Sequence, residues 1–192
     1  MIIEKINIGS ISENEYSETA KLFPETALKT KNCRPDGIKR TLAGRFLLTK
    51  MIKEIYGREN FTLFLNENGK PMLDFCFISI SHSGDYAVCA VSDSPVGVDI
   101  ERTGGFKRRE KYMLFTPLES EYVNERDSEN RFYTLWTRKE AYIKAKGVIL
   151  TDAAKTELVA PDFSLLDLYD GFRFTAEKSD GYIINAAEKT NR

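Results

Sequence analysis

The order of hydrophobic patterns restricts the fold of this chain more than any other feature, because a long helical pattern followed by short strand-like patterns occurs twice. Apolar residues recur with helical spacing over about residues 36–56, where Asp36 is a suitable N-cap and Gly57 a suitable stop. The first half is therefore predicted to be a helix followed by a small sheet. The strand-like segments, separated by turn-forming residues, are 62–65, 76–80, 86–92 and 96–101.

The second half repeats this order. A Thr-Pro-Leu-Glu signature at 116–119 predicts a helix start, and a longer helix is predicted over about 128–146, ended by Gly147. Two alternating segments at 172–177 and 182–187 predict a hairpin. The order indicates an α+β protein of two similar lobes, with a site in the groove between them.

Composition excludes several classes of protein. The 192 residues include 28 Lys and Arg against 29 Asp and Glu, which gives a net charge of −1. A surface that binds nucleic acid or anionic lipid over its whole extent needs excess positive charge. No apolar run approaches the roughly 20 residues that span a bilayer, and the N terminus lacks a secretory pattern. We therefore expect a cytoplasmic protein without nucleic-acid or membrane partners. Cys33, Cys76 and Cys89 show no CxxC or CxxH spacing, so we expect reduced thiols, not disulfides or a zinc site.

The segment GVDIERT, residues 97–103, contains two acids at alternating positions. In a strand, Asp99 and Glu101 project from the same face, because successive side chains point to opposite sides. Mg²⁺ is commonly held by one or two carboxylates together with phosphate oxygens and water. The alternative is a half-exposed edge strand whose acids are simply solvated.

The segment LWTRKEAYIKAKG, residues 135–147, places Trp136, Glu140 and Lys144 on one face of the predicted helix. One interpretation is a surface ion pair between Glu140 and Lys144, worth a few tenths of a kcal/mol. The single Trp opposes that interpretation, because Trp136 is expected to face the core and to turn the same stripe inward.

The segment SISHSGD, residues 79–85, contains the only histidine. A polar turn after a strand offers hydroxyls, backbone N–H groups and an imidazole to a phosphate. A nucleophilic Ser-His pair and simple hydrogen bonding to local backbone are the alternatives. A basic stretch precedes it and suits a phosphorylated small molecule or an acidic protein, the alternative being a solvated helix face. Its members are Lys29, Lys31, Arg34, Lys39, Arg40 and Arg45.

Together, and in this order, these segments resemble the 4′-phosphopantetheinyl transferase superfamily, in its larger, monomeric, Sfp-like type. The resemblance rests on GKP at 69–71, ISHSG at 80–84, GVDIE at 97–101 and FYTLWTRKEAYIKAKG at 132–147. The chain is short for this type, and the region after residue 150 gives only hairpin signals.

The resemblance implies an enzyme that transfers the 4′-phosphopantetheine group of coenzyme A to a serine hydroxyl of an apo carrier protein, with Mg²⁺, and releases 3′,5′-ADP. It also implies two pseudo-symmetric α+β subdomains, 1–97 and 98–192, each a small, mostly antiparallel sheet with a long helix. Coenzyme A and Mg²⁺ would lie in the cleft between them.

The resemblance also assigns roles to individual residues. Asp99, Glu101 and Glu140 would be the metal ligands. Lys144 would lie near the pyrophosphate, where it stabilises or protonates the leaving phosphate, and Glu140 is the candidate general base for the serine. The remaining contacts to coenzyme A phosphates would come from Lys31, Arg40, Lys70, Ser81 and His82.

The implied partner is an acidic carrier protein, bound by a monomer through about residues 106–118, which mix basic and apolar side chains. The alternative for that segment is a mobile loop with a few core residues. Two other functions compete with the transferase: a non-catalytic coenzyme A or nucleotide-binding module, and a Mg²⁺-dependent phosphohydrolase. The carrier served, the tolerance for acyl-coenzyme A and the choice of Mg²⁺ or Mn²⁺ are not readable from the residues.

Overall fold

The computed structural model describes residues 1–24, 26, 35–104 and 114–190. Four α-helices lie in these ranges: α1 (Glu13–Leu22), α2 (Pro35–Tyr56), α3 (Pro117–Glu125) and α4 (Ser128–Lys146). Short 3₁₀ turns occur at Ile8–Ser10 and Leu150–Lys155. The strands are β1 (Ile2–Asn7), β2 (Phe64–Leu65), β3 (Pro71–Met72), β4 (Phe77–Ser83), β5 (Tyr86–Ser92), β6 (Val96–Arg102), β7 (Leu168–Tyr169), β8 (Phe172–Ser179) and β9 (Tyr182–Lys189).

The strands form antiparallel sheets, which confirms the predicted α+β class. One sheet has the order β1-β5-β4, a second has the order β6-β9-β8-β7, and β2 pairs with β3. Strands β4 and β6 are each the edge of their own sheet. The pseudo-symmetry and the division into 1–97 and 98–192 stay predictions.

The predicted helix signals of the second half are confirmed. Thr116 caps α3 in a capping box with Glu119, so both side chains satisfy backbone N–H groups of the first turn. Helix α4 has the predicted bounds and ends at Gly147, which adopts φ +75°. Helix α2 begins one residue earlier than predicted, so Asp36 lies in its first turn and is not its N-cap.

Several elements differ from the prediction, and the short strands β3 and β7 are among those that were not predicted. Strand β1 and helix α1 were not predicted, although Ser12 and Glu15 form a capping box that marks the start of α1. Strand β4 runs through Ser83, whereas the sequence predicts a strand end at residue 80 and a turn over the SHS residues. The turn is shorter and begins at Gly84, whose φ is +53°.

The backbones of α4 and β6 are packed unusually close together at Gly97. A Cβ atom at Gly97 would overlap the carbonyl oxygen of Ala141 and the backbone nitrogen of Ala145. Glycine is therefore the residue that lets the strand lie directly against the helix backbone.

Clusters of buried apolar side chains join the helices to the sheets and the two sheets to each other. One cluster joins α4 to the four-stranded sheet, and another joins α2 to the three-stranded sheet. A third contains Val88 and Ala90 of one sheet together with Val98 and Ile184 of the other, so the two sheets share a core. Cys76 and Cys89 are buried free thiols. Within the described ranges, no helix has a stretch long and apolar enough to cross a bilayer.

Candidate active site

Asp99 is the buried centre of the candidate site. Its side chain is on β6, and the residue is 5% exposed. The Lys144 ammonium lies 2.6 Å from Asp99 Oδ1, and the hydroxyl of Ser81 donates to the same oxygen at 2.7 Å. Burial raises the pKa of Asp99, and the positive charge of Lys144 and the hydrogen bond from Ser81 oppose that rise.

Glu101, two residues further along β6, lies on the same face. Its carboxylate accepts hydrogen bonds from the indole N–H of Trp136 at 3.2 Å and from the hydroxyl of Ser83 at 3.0 Å. The helix stripe that carries Trp136 thus faces the strand carboxylates. Glu140 is partly buried and lies one turn from both Trp136 and Lys144. Lys144 pairs with the buried Asp99 across elements, so it is not only a surface partner of Glu140.

The donor set suits a hard divalent cation. Asp99 Oδ2 is buried and accepts no hydrogen bond from any residue that the structure describes, and a buried carboxylate oxygen requires a cation or a donor. The described parts of the chain gather no group of three acids, histidines or cysteines closely enough to enclose a metal by themselves. Mg²⁺ does not require such a group, because substrate phosphates and waters complete its coordination. Asp99 and Glu101, on one face, are a fitting pair.

A seam of serines joins the two sheets beside this site. Ser79 Oγ accepts a hydrogen bond from the N–H of Val98 at 3.0 Å, and Ser83 Oγ accepts one from the N–H of Arg102 at 3.0 Å. Each pair is separated by 19 residues, so β4 and β6 run parallel. Side-chain hydroxyls satisfy edge N–H groups here in place of backbone pairing. We call Ser79, Ser81 and Ser83 the serine seam.

Lys70 lies beside Lys144 at a second cavity. Its ammonium donates to the carbonyl oxygens of Lys144 at 2.6 Å and Val96 at 3.1 Å. Burial, together with the positive charge of Lys144, lowers the pKa of Lys70 to about 8. A cavity of about 220 Å³ is lined by both lysines and by Pro71 and Gly147. Its lining combines these two cations with apolar residues such as Ile80 and Ile143.

His82 and Arg40 lie at the tip of the β4–β5 hairpin. Arg40 donates from Nε to the carbonyl oxygen of Gly84 at 3.2 Å and lines a separate cavity of about 570 Å³ with Arg102. His82 is exposed, but neighbouring protein atoms remove part of its hydration. This desolvation, followed by the charges of Lys144 and Arg40, lowers the pKa of His82. The structure therefore groups Ser81, Lys70 and Lys144 but places Arg40 at a different cavity.

Some predicted contacts lie outside the described residues. Lys31 is among them, and so is the carrier-binding segment up to residue 113. The end of that segment is described: Phe115 is buried and packs against Phe132, with ring centroids 5.5 Å apart. Phe115 is thus a core residue, not an exposed anchor.

Two members of the predicted basic patch have other roles. Arg45 is 4% exposed and stacks on Phe23, and Lys39 pairs with Glu13 at 2.6 Å. Ser83 was missed as a site residue. Its signal was present in the alternation of three serines at 79, 81 and 83, which is typical of a strand face and not of a turn.

Comparisons with known proteins cover the segments that carry this site. A family model described as the 4′-phosphopantetheinyl transferase superfamily matches residues 95–184, which include β6 and α4. The 4′-phosphopantetheinyl transferase gsp of Aneurinibacillus migulanus is 38% identical over 116 residues, which are 56% of this chain and 48% of that protein. Sfp of Bacillus subtilis (strain 168) is 30% identical over 131 residues, 62% of this chain and 58% of Sfp.

A third relative is matched over more of its length. The 4′-phosphopantetheinyl transferase HetI of Nostoc sp. is 30% identical over 159 residues, 70% of this chain and 67% of HetI. The chain spans about half the length of gsp and somewhat more of Sfp. On these matches the chain belongs to the 4′-phosphopantetheinyl transferase superfamily, in its Sfp-like type.

Proposed function

We propose that this chain transfers the 4′-phosphopantetheine group of coenzyme A to a serine hydroxyl of an apo carrier protein, with Mg²⁺, and releases 3′,5′-ADP. The observation that carries the proposal is the buried carboxylate of Asp99, which has one unpartnered oxygen and lies against Lys144. A buried anionic centre beside two lysines at a cleft suits a reaction that rearranges phosphate charge. The proposed setting is a monomer in the cytoplasm.

The residues that would hold Mg²⁺ are Asp99, Glu101 and Glu140. Bound there, the ion would supply positive charge to the pyrophosphate oxygens of coenzyme A. Lys144 also provides positive charge at Asp99.

Glu140 would act as general base. The carrier serine oxygen attacks the phosphorus that bears the pantetheine arm, its proton passes to the Glu140 carboxylate, and the bond from that phosphorus to the bridging oxygen breaks. The Lys144 ammonium would stabilise or protonate the negative charge that develops on the departing 3′,5′-ADP.

The coenzyme A phosphates would be bound by cations and donors on both sides of the cleft. Lys70 is proposed for the phosphopantetheine phosphate region, and Ser81 and His82 for the 3′-phosphate. Arg40 and Lys31 would reinforce phosphate binding. An acidic carrier protein would dock through about residues 106–118, where basic side chains are frequent.

The test is incubation of the protein with coenzyme A, Mg²⁺ and an apo carrier protein, followed by intact mass spectrometry of the carrier. With the wild-type protein, we expect the mass of the carrier to increase by that of one phosphopantetheine group. Glu140→Gln should reduce transfer by about a hundredfold or more, because it removes the base, while binding of coenzyme A is largely kept.

Other outcomes contradict the proposal. Tight coenzyme A binding without any adduct across several carriers indicates a binding-only module. Phosphate or nucleotide products formed without a carrier indicate a phosphohydrolase. Near-normal turnover in Glu140→Gln contradicts the base assignment alone.

A further inference from the structure

The two outer serines of the seam make different contacts although both bridge the same pair of strands. Ser79 accepts the N–H of Val98 at 3.0 Å and, in the described structure, contacts neither of the β6 acids. Ser83 accepts the N–H of Arg102 at 3.0 Å and also donates its hydroxyl proton to Glu101 Oε2 at 3.0 Å.

The contacts of Ser83 fix the direction of its proton. A hydroxyl has one donor and two acceptor lone pairs. The backbone N–H of Arg102 donates to one of these lone pairs. Because an ionised carboxylate can only accept, the contact with Glu101 requires the Ser83 O–H to donate. The other oxygen of that carboxylate, Oε1, accepts from the indole N–H of Trp136 at 3.2 Å. Each oxygen of the Glu101 carboxylate thus accepts a hydrogen bond, one from Ser83 of β4 and one from Trp136 of α4, and these bonds fix the orientation of the carboxylate.

A long acidic side chain on a strand has several rotamers, and ordering it for a ligand costs conformational entropy. Groups that orient metal ligands in this way are worth about 10- to 100-fold in metal affinity or activity. We propose that Ser83 is a positioning residue that holds Glu101 ready for a divalent cation. This inference rests on the proposed function, because it takes Glu101 to be a metal ligand.

The test compares Ser83→Ala with Ser79→Ala in the full chain. Mn²⁺ alone is titrated into each protein, and free Mn²⁺ is followed by electron paramagnetic resonance, so that the readout does not depend on transfer. Ser83→Ala should bind Mn²⁺ about tenfold more weakly than wild type. Ser83→Thr keeps the hydroxyl and should restore affinity to within about threefold of wild type.

Urea unfolding of the same variants should rank them in the opposite order, with Ser79→Ala less stable than Ser83→Ala. Ser79 is 2% exposed, whereas Ser83 is partly exposed, so Ser79→Ala leaves a more deeply buried N–H without its acceptor. We expect Ser79→Ala to lower the urea midpoint more than Ser83→Ala, with Mn²⁺ affinity unchanged.

Equal Mn²⁺ affinity in Ser83→Ala and wild type overturns the inference. Equal weakening in both alanine variants also overturns it, because the effect would then come from the spacing of the strands. Absence of Mn²⁺ binding in wild type overturns it as well. If wild type binds Mn²⁺ and Ser83→Ala weakens that binding, but no carrier is modified, the proposed function fails and the positioning role stands.

Discussion

Lys70 and Lys144 line the same cavity, but their ammonium groups have different hydrogen-bonding partners. Lys144 is paired with the carboxylate of Asp99 at 2.6 Å, whereas Lys70 donates to backbone carbonyls. Lys70 therefore has its burial compensated by dipoles and not by a full opposite charge. This explains why the pKa of Lys70 falls to about 8.

We expect the affinity for coenzyme A, whose phosphopantetheine phosphate is the proposed ligand of Lys70, to decrease as pH rises above about 8. A lysine whose pKa is lowered is charged below that pKa and neutral above it, so its attraction for phosphate is present at low pH and lost on raising the pH through about 8. The decrease should approach at most about tenfold per pH unit. Isothermal titration calorimetry between about pH 7 and 9.5 measures it.

Lys70→Arg is the matched control, because arginine stays charged throughout this range. Its affinity for coenzyme A should be nearly independent of pH. A slope in Lys70→Arg as steep as that of wild type would assign the pH dependence to another group.

At the level of single residues, part of the site could be predicted from the sequence. The shared face of Asp99 and Glu101 follows from strand alternation, and the inward stripe of α4 follows from helical spacing and a single Trp. The contact between Asp99 and Lys144 joins residues 45 apart, and no local pattern encodes which cation meets which acid. Arg45 was assigned to an exposed patch for the same reason, because burial depends on distant neighbours.

At the level of elements, Gly97 determines how closely α4 packs on β6. We expect Gly97→Ala to lower the free energy of unfolding by about 3 kcal/mol or more, because its methyl group meets helix backbone that cannot rotate away. Guanidinium unfolding followed by circular dichroism measures the change. Transfer activity should fall as well, since α4 carries Lys144 and β6 carries Asp99.

Gly9→Ala is the control for the Gly97 prediction. An added methyl at Gly9 meets only the amide oxygen at the end of the Asn7 side chain, at 3.2 Å. Its stability should stay within about 1 kcal/mol of wild type. A loss in Gly97→Ala no larger than in Gly9→Ala would mean that the helix shifts without penalty.

Element prediction succeeded at the ends of α3 and α4, but it missed the equally local capping box of α1 and misplaced the end of β4. The capping box at Thr116 and the stop at Gly147 lie within a few residues of the helix ends they define. Strand β4 extends through Ser83 because residues 81–83 pair with residues 86–88 of β5, and the hydroxyls of Ser79 and Ser83 also accept N–H groups of β6 from 19 residues away. Turn-like composition therefore gave the wrong strand end.

At the level of the whole molecule, one buried ion pair ties together much of the second half of the chain. The ammonium of Lys139 pairs with Glu119, and both side chains are fully buried. Lys139 also donates to the carbonyl oxygens of Leu114, Ala153 and Thr156, at 2.8 to 3.0 Å. Burial lowers the pKa of Lys139 and raises that of Glu119, while their mutual attraction opposes both shifts.

Lys139→Met should destabilise the protein by about 3–5 kcal/mol, because it leaves the Glu119 carboxylate buried without its cation. Urea unfolding at neutral pH measures the loss. Lys155→Met removes a lysine that is 81% exposed and pairs with Asp152 at 3.5 Å, and it should change stability by less than about 1 kcal/mol. Similar losses in the two variants would show that the buried pair contributes no more than a surface pair.

The fold class was predictable from the alternation of helical and strand-like patterns, whereas the arrangement of the sheets was not. Strand β1 pairs with β5 across 79 to 89 residues, from Asn7 with Tyr86 to Ile2 with Val91. Such pairings depend on shape and burial across the whole chain, which local periodicity does not record.

The serine seam has a consequence for how this protein can diversify. The spacing between backbone-paired strands is nearly the same for every side chain, at about 4.8 Å, so point mutation cannot adjust it. A junction of hydroxyl groups is different, because replacing one serine with a longer or shorter residue alters the separation of β4 and β6 at that position alone. The separation of β4 and β6 can thus change by single codon substitutions, while both sheets keep their own pairing intact.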